Sequence, residues 1–478
     1  MQWTIEQVAR ALGAEIPAGL APMARLAGVS IDSRTVGSGE LFFAIHGPRH
    51  DGHGFVAAAL EAGATAAVVT RERFADYSPE IRRKLFAVPE TLSALQRLAH
   101  EIRTAWGGRV AAVAGSVGKT TTKEILAALV AARFRVLKTE GNLNNEYGLP
   151  LTLARLEEQY EAAVLELGMS HSGELAALTK ISTPEIGVVT RVAVEHLEFF
   201  ASIDEIAAAE RELVENLPGA DTLAVLNADD ARVLAFAKAA PGRVITFGVN
   251  NENADYRATQ IESRGVLGSA FTIASAEGDA RVELSLAGKH NVANAIGAFA
   301  AASVWGISSE DAARVLPTMK PAAMRGEILR LDDGLIVIND CYNSSPSAMT
   351  TMLDLLAATP GARRRILAAG EMLELGESSA QLHREVGRDA AKRGLDWIIG
   401  VRGHASEMIE GAIAAGYPAK RTKVFSDSAE AAKFLSEFAQ PGDLILVKGS
   451  RGVRMERIVE AIAATRGGVP AGAAQEHH

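Results

Sequence analysis

The segment Val110–Thr122, VAAVAGSVGKTTT, constrains this chain more than any other. Val110 to Ala114 are small and apolar, as a strand buried in a parallel sheet must be. Gly115 and Gly118 allow a tight backbone, and Lys119 and Thr120 open a helix that carries Leu126, Leu129, Val130 and Phe134 at helical spacing. A strand, a glycine loop and a helix in that order make a phosphate cradle. The loop's backbone N–H groups converge on the anion, and the helix N-terminus adds positive potential. The Lys119 ammonium reaches the terminal phosphates and the Thr120 hydroxyl ligates Mg²⁺. The common pattern G-x-x-x-x-G-K-[ST] requires a glycine where this chain has Val113, so only the tighter G-x-x-G-K-T-T is present. A turn that merely joined strand to helix would not need the lysine and the threonine run. The loop by itself names no reaction, since kinases, GTPases, motors and ligases all carry one.

The rest of the chain must supply the chemistry, and its 478 residues suffice for about three domains. Hydrophobic residues at 48% and charged residues at 22% describe a globular protein, and a net charge of -9 leaves no basic footprint for nucleic acid. The single cysteine, Cys341, excludes an internal disulfide framework and fits a reducing compartment as a small buried residue. No apolar run approaches a membrane span and Met1 to Arg10 lack a signal-peptide pattern, so a cytoplasmic enzyme is expected, without membrane insertion and as a monomer.

Four segments are expected: a first unit at 1–87, a central nucleotide-binding domain at 88–317, a third domain at 318–465, and a disordered Gly/Ala-rich tail at 466–478. In the first unit, Ser33 and Arg34 follow Asp32, where the arginine either meets a phosphate or a uracil ring or stays a surface charge. His46, Arg49, His50, Asp51 and His53 cluster in a connection whose spacing matches no standard metal site, so a solvated loop or a polar-ligand loop is expected there. The helical run TLSALQRLAHEIRTAW bridges to the nucleotide strand.

Strands at Ala162–Leu167, Ile186–Val189 and Thr222–Leu226, with helices between them, predict a mostly parallel sheet with ligands at its carboxyl ends. Glu166 falls near the end of an apolar run, where a carboxylate needs a cation. Either a metal shared with His196 or an arginine answers that need. Asn291 and Asn294, spaced i, i+3 at a helix start, either read an adenine edge or cap the helix. Strands at Leu335–Ile338, Arg365–Ala368, Trp397–Val401 and Leu444–Val447 predict a second doubly wound, Rossmann-like sheet, with no G-x-G-x-x-G to recommend dinucleotide binding. Asp340, Tyr342 and Asn343 follow its first strand.

Taken together, these stretches resemble the Mur ligase family over nearly the whole chain. The resemblance rests on DSR at Asp32–Arg34, AGSVGKTTTKE at Ala114–Glu124, GNLNNEYGLPLTL at Gly141–Leu153 and LELGMSHSGE at Leu165–Glu174. It continues in EHLE at Glu195–Glu198, GKHNVAN at Gly288–Asn294, DCYNSSPSAM at Asp340–Met349, GEMLELG from Gly370 and KGSRGVRME at Lys448–Glu456. The GNLNN and GEMLELG segments are similar to the branch that adds a dipeptide, and the DNPR motif of the branch that adds the third amino acid is missing. The fold implied is α/β in three domains: a UDP-substrate domain, a central parallel-sheet P-loop ATPase domain and a C-terminal Rossmann-like domain.

The reaction implied uses ATP and Mg²⁺ to phosphorylate the terminal carboxylate of UDP-N-acetylmuramoyl-tripeptide. The amine of D-alanyl-D-alanine then attacks the acyl phosphate. Neutralising the charge of two approaching anions is the physical demand. The resemblance implies that Gly115 to Thr121 hold the β and γ phosphates, with Thr120 on a first Mg²⁺, and that Glu166 and His196 ligate a second. Asn291 resembles the adenine contact, Arg325 the arginine that reaches the phosphates, and Asp340 a nucleotide contact from the last domain. Ser33 and Arg34 resemble part of the uridine diphosphate pocket, and Asn144 and Asn145 a peptide-facing pair. Relatives read YNANP where this chain has Tyr342, Asn343, Ser344, Ser345 and Pro346, which leaves the dipeptide contact undefined. Relatives also carry a carbamylated lysine after EHLE, where this chain has Glu210. That glutamate either supplies the missing anion or is an ordinary exposed helix residue, with Glu205 and Glu212 as alternatives. Rival readings are a third-residue-adding ligase, a folylpolyglutamate synthase, or a non-catalytic nucleotide-gated binding protein.

Overall fold

Three sheets follow one another along the chain. The computed structural model describes residues 3–47 and 50–466. Arg49 and the tail from Gly467 onward therefore lie outside the described residues. The first sheet is all parallel, in the order β1 (Val29–Ser30), β2 (Leu41–Phe43), β3 (Ala66–Thr70), β4 (Leu85–Val88). Its last strand runs one residue past the expected boundary at 87.

The helix Thr91–Trp106 coincides with the expected bridging run. Glu90 caps it by accepting from Leu92 N and Ser93 N, and Gly107 closes it at φ 69°. Its apolar face, Leu95, Leu98 and Ile102, is buried in one core with Ile5, Leu12 and Phe86 on one side and Ala112 and Leu165 on the other. Each such side chain contributes about 1.5–3 kcal/mol by burial. The bridge is thus a shared wall between two units rather than a flexible linker.

The central sheet contains β5 (Arg109–Ala114), β6 (Val136–Lys138), β7 (Ala162–Glu166), β8 (Ile186–Val189), β9 (Leu223–Asn227), β10 (Arg243–Gly248), β11 (Tyr256–Ser263), β12 (Ser269–Ser275) and β13 (Gly278–Leu284). Their order is β13-β12-β11-β10-β9-β8-β5-β7-β6. From β6 to β11 the neighbours are parallel, while β12 and β13 add an antiparallel edge absent from the expected set. The helix after β5 runs from Lys119 to Val130, so Phe134 lies beyond its end, though still packed on the core.

The third sheet contains β14 (Glu327–Arg330), β15 (Ile336–Asp340), β16 (Arg365–Gly370), β17 (Trp397–Val401), β18 (Thr422–Phe425) and β19 (Leu444–Lys448). Its order is β14-β15-β19-β16-β17-β18, parallel except for β14. The last helix ends at Thr465, and Arg466, expected in the tail, pairs with Asp333 and the Ala439 carbonyl. Cys341 is buried as a free thiol. Among the described residues no helix is long and apolar enough to cross a membrane.

Candidate functional site

The carboxyl ends of β5, β7 and β8 meet those of β15 and β19 around a cavity of about 860 Å³ lined from both the central and the third sheets. On the central side, the loop after β5 is pinned from behind. Ser116 N donates to Arg191 O (2.7 Å), and the Thr190 hydroxyl donates to Val117 O (2.7 Å) and Ala114 O (3.2 Å). Gly115 stands at φ 122° and Gly118 at φ 91°. A Cβ at Gly115 would lie 2.2 Å from the Thr190 hydroxyl oxygen, and one at Gly118 2.5 Å from Asn294 Oδ1. Only glycine fits either place. The helix that starts at Lys119 has no side-chain cap, so its first N–H groups face the cavity, together with Thr120 and Thr121.

Lys119 Nζ donates to Gly115 O (2.5 Å) and Ser116 O (3.2 Å) and lies 3.8 Å from Glu195 Oε1. Burial opposes its charge, but Glu195, Glu210 and Glu166 together outweigh burial and raise its pKa. Three carboxylates thus surround one ammonium, with the Arg325 guanidinium acting on it from the third domain.

Glu166, at the end of β7, is 2% exposed; its Oε1 accepts from Asn144 Nδ2 (2.8 Å) and its Oε2 has no partner. Glu210 is likewise 2% exposed with an orphaned Oε2. Burial pushes its carboxyl up to about 7, against the pull of Lys119. Neither alternative position competes. Glu212 caps a helix by accepting from Gly173 N (2.7 Å) and Ala176 N (3.1 Å), and Glu205 accepts from Ala201 N (2.9 Å). Glu210 is not an exposed helix residue.

His196 lines the same cavity with φ 53°, a left-handed backbone that only a locked loop sustains. Its Nδ1 lies 2.7 Å from Glu374 Oε2 of the third domain, out of line with the ring N–H. Burial opposes a charge on this ring, yet Glu374 and Glu195 raise its pKa. Among the described residues no group of three or more His, Cys, Asp or Glu side chains forms a ready-made metal centre.

Facing these groups, Arg325 stacks 4.1 Å over the Tyr342 ring, and the buried Lys448 donates to Asp340 Oδ2 (2.6 Å) and Asn343 O (2.9 Å). His290, at the start of the helix Lys289–Ser303, looks across at that pair; burial holds it neutral, down to about 4, against the pull of Asp340. Asn294 Nδ2 donates to Asn291 Oδ1 (3.0 Å) and Asn291 Nδ2 to Ala287 O (2.8 Å), so the two asparagines brace each other and the loop glycine beside them.

Asn144 and Asn145 also line the cavity, but part of each amide is already engaged. Asn144 holds Glu166, and Asn145 Oδ1 accepts from Gly148 N (2.9 Å) at the start of a helix. Ser33 and Arg34 do not line this cavity. The Arg34 side chain is 73% exposed and folds back on Asp32 (2.7 Å). The histidine cluster of the first unit resolves into a structural network in which buried His53 Nδ1 meets Asp51 Oδ1 (2.7 Å) and Nε2 accepts from Thr70 N (3.1 Å). Glu195 and Glu374 are site residues that sequence reasoning passed over, although they stand inside the quoted EHLE and GEMLELG motifs.

This arrangement defines a phosphate-loop α/β protein whose loop is answered by a second, Rossmann-like sheet. Family models match it in three stretches: "Mur ligase family, catalytic domain" at residues 25–103, "Mur ligase middle domain" at 113–302 and "Mur ligase, glutamate ligase domain" at 324–451. The chain is 36% identical, over 91% of its length and 92% of the relative's, to UDP-N-acetylmuramoyl-tripeptide--D-alanyl-D-alanine ligase of Bacillus subtilis. Among solved structures it is similar to MurF from Acinetobacter baumannii, with a TM-score of 0.87 and 31% identity over 97% of this chain and 99% of that one. MurF ligase from Thermotoga maritima in complex with ADP matches with a TM-score of 0.79 and 29% identity over 92% and 98%. The chain belongs to the Mur ligase family.

Proposed function

We propose that this chain is an ATP-dependent, ADP-forming ligase that joins D-alanyl-D-alanine to UDP-N-acetylmuramoyl-tripeptide in peptidoglycan precursor synthesis. The observation that carries the reading is the phosphate loop, with Lys119 set among Glu166, Glu195 and Glu210, in a chain so similar along its length to ligases of that name. ATP supplies a phosphoryl group to the peptide carboxylate, and the dipeptide amine displaces it as inorganic phosphate.

The loop residues Gly115, Ser116, Val117, Gly118, Lys119, Thr120 and Thr121 hold the phosphates, Asn291 and Asp340 contact the nucleotide, and Arg325 adds positive charge from the third domain. Mg²⁺ fits the donor set. The orphaned oxygens of Glu166 and Glu210 are buried, and Thr120 and His196 border the same cavity. Mg²⁺ is commonly held by one or two carboxylates together with phosphate oxygens, which is the set Glu166 and Glu210 would complete. Glu210 supplies the anion that a carbamylated lysine supplies in relatives. Lys119 and Arg325 hold the developing charge.

Asn144, Asn145, Tyr342 and Asn343 border the peptide and dipeptide. The first unit, 1–87, takes the UDP end through Ser33 and Arg34; 88–317 takes ATP; and 318–465 takes the dipeptide. The enzyme works in the cytoplasm as a monomer. Steady-state phosphate release with UDP-N-acetylmuramoyl-tripeptide tests this, with D-alanyl-D-alanine set against single amino acids. Release with the dipeptide alone is expected; release with a single amino acid, or with no amine, sinks the assignment.

A further inference from the structure

The geometry points to Glu374 as a positioning residue that acts from the third domain on His196, so that docking of that domain fixes the imidazole for the metal. The inference rests on the reading of His196 as a metal ligand given above. Two loops meet here from different domains. The Glu195–Glu198 loop follows β8, and the Leu373–Gly376 loop follows β16. His196 has φ 53° and Glu374 φ 63°, so each side of the contact holds a non-glycine residue in the left-handed region. Such a conformation costs of order 1–3 kcal/mol and persists only where surrounding contacts over-determine it.

Within its own loop His196 O accepts from Phe199 N (2.8 Å) and Phe200 N (3.1 Å), and further contacts cross the domain boundary. His196 Nδ1 stands 2.7 Å from Glu374 Oε2, Glu198 N donates to Glu374 O at 3.3 Å, and a Cβ on Gly376 would come within 3.2 Å of Leu197 O. The His196 side chain is 19% exposed and that of Glu374 50%, so the carboxylate has room to swing into line with the ring N–H. An imidazole that offers Nε2 to a metal keeps its proton on Nδ1, and a carboxylate at Nδ1 fixes that tautomer and the ring plane. No carboxylate of the central domain does this. Glu195, the neighbour in sequence, lies on the other ring nitrogen, 4.0 Å from Nε2.

The test measures Mn²⁺ binding by electron paramagnetic resonance, in the presence of a non-hydrolysable ATP analogue, for the unaltered protein, Glu374→Ala, Glu374→Gln and His196→Ala. Glu374→Ala is expected to weaken Mn²⁺ binding by about 10–100-fold. Glu374→Gln, whose amide oxygen can still accept from Nδ1, is expected to recover most of the loss. Weak binding by His196→Ala together with unaltered binding by Glu374→Ala overturns the proposal and leaves the metal reading standing. Unaltered binding by His196→Ala overturns both.

Discussion

Lys119 Nζ stands 3.8 Å from Glu195 Oε1, and the two side chains are only 18% and 11% exposed. Removing one partner of a pair this shielded is costly, because the other charge is left buried and uncompensated. The neighbouring Glu166 and Glu210 make the lysine the counter-charge for three carboxylates.

Lys119→Ala is therefore expected to cut turnover by about 10²–10³-fold, the usual loss when one preorganised charge is taken from a transition state. The sequence by itself suggests that thermal unfolding should not move. The structure revises that expectation to a lower Tm, because the carboxylates lose their cation. Near-normal turnover would remove the loop from the reacting phosphates.

Asp311 offers a pH test away from the site. The Ser308 backbone, together with Arg133 and Arg314, holds its carboxyl down to about 2, against burial. A depressed carboxylate stabilises the fold above its unfolded pKa, and that stability is lost as pH falls through the folded value. Asp311→Asn is thus expected to be less stable at pH 7 by on the order of 1–2 kcal/mol, less than the full shift implies because the arginine side chains are exposed. The two proteins should converge as pH falls from 4 toward ~2. Urea unfolding over that range checks it; a gap that persists at the acid end would mean a packing effect instead.

Continuous apolar runs were legible in the sequence. Ile186–Val189 and Trp397–Val401 are strands with the expected bounds because both faces are covered, which leaves no polar residue to blur the signal. The antiparallel edge was not legible. Tyr256–Ser263 buries only part of one face and carries Arg257, Gln260 and Glu262, so it reads as polar connection. At the site, residues that belong to the loop itself could be read from their spacing. Partners brought in from far along the chain could not. Nothing near Glu166 announces Asn144, nothing near His196 announces Glu374, and burial of Glu210 depends on how its helix packs behind the loop.

Arg325 and Tyr342 form a second measurable pair. The guanidinium lies 4.1 Å over the ring, and stacking of this kind contributes about 0.5–2 kcal/mol. Tyr342→Ala is expected to lower kcat by about 3–30-fold by freeing the arginine, while Tyr342→Phe, which keeps the ring, should stay near the unaltered rate. Equal losses in both variants would assign the effect to the hydroxyl and not to the stack.

Glu210 carries the last prediction. Its carboxyl is 2% exposed, one oxygen is unpartnered, and burial raises its pKa to about 7. A buried carboxylate without a full set of partners is retained at a cost, and a bound cation relieves that cost by favouring the ionised form. If this residue provides the anion that a carbamylated lysine provides in relatives, no carbon dioxide is needed to make it. Turnover should then be the same in bicarbonate-free and bicarbonate-supplemented buffer. Glu210→Ala should lower it by about 10²-fold or more, and Glu210→Lys should be rescued by bicarbonate only in part, because the longer carbamate must fit a pocket shaped for a shorter side chain. Initial-rate measurements on the three proteins, with and without bicarbonate, check this. Full turnover of Glu210→Ala in carbon-dioxide-free buffer would leave the buried carboxylate with no part in the reaction.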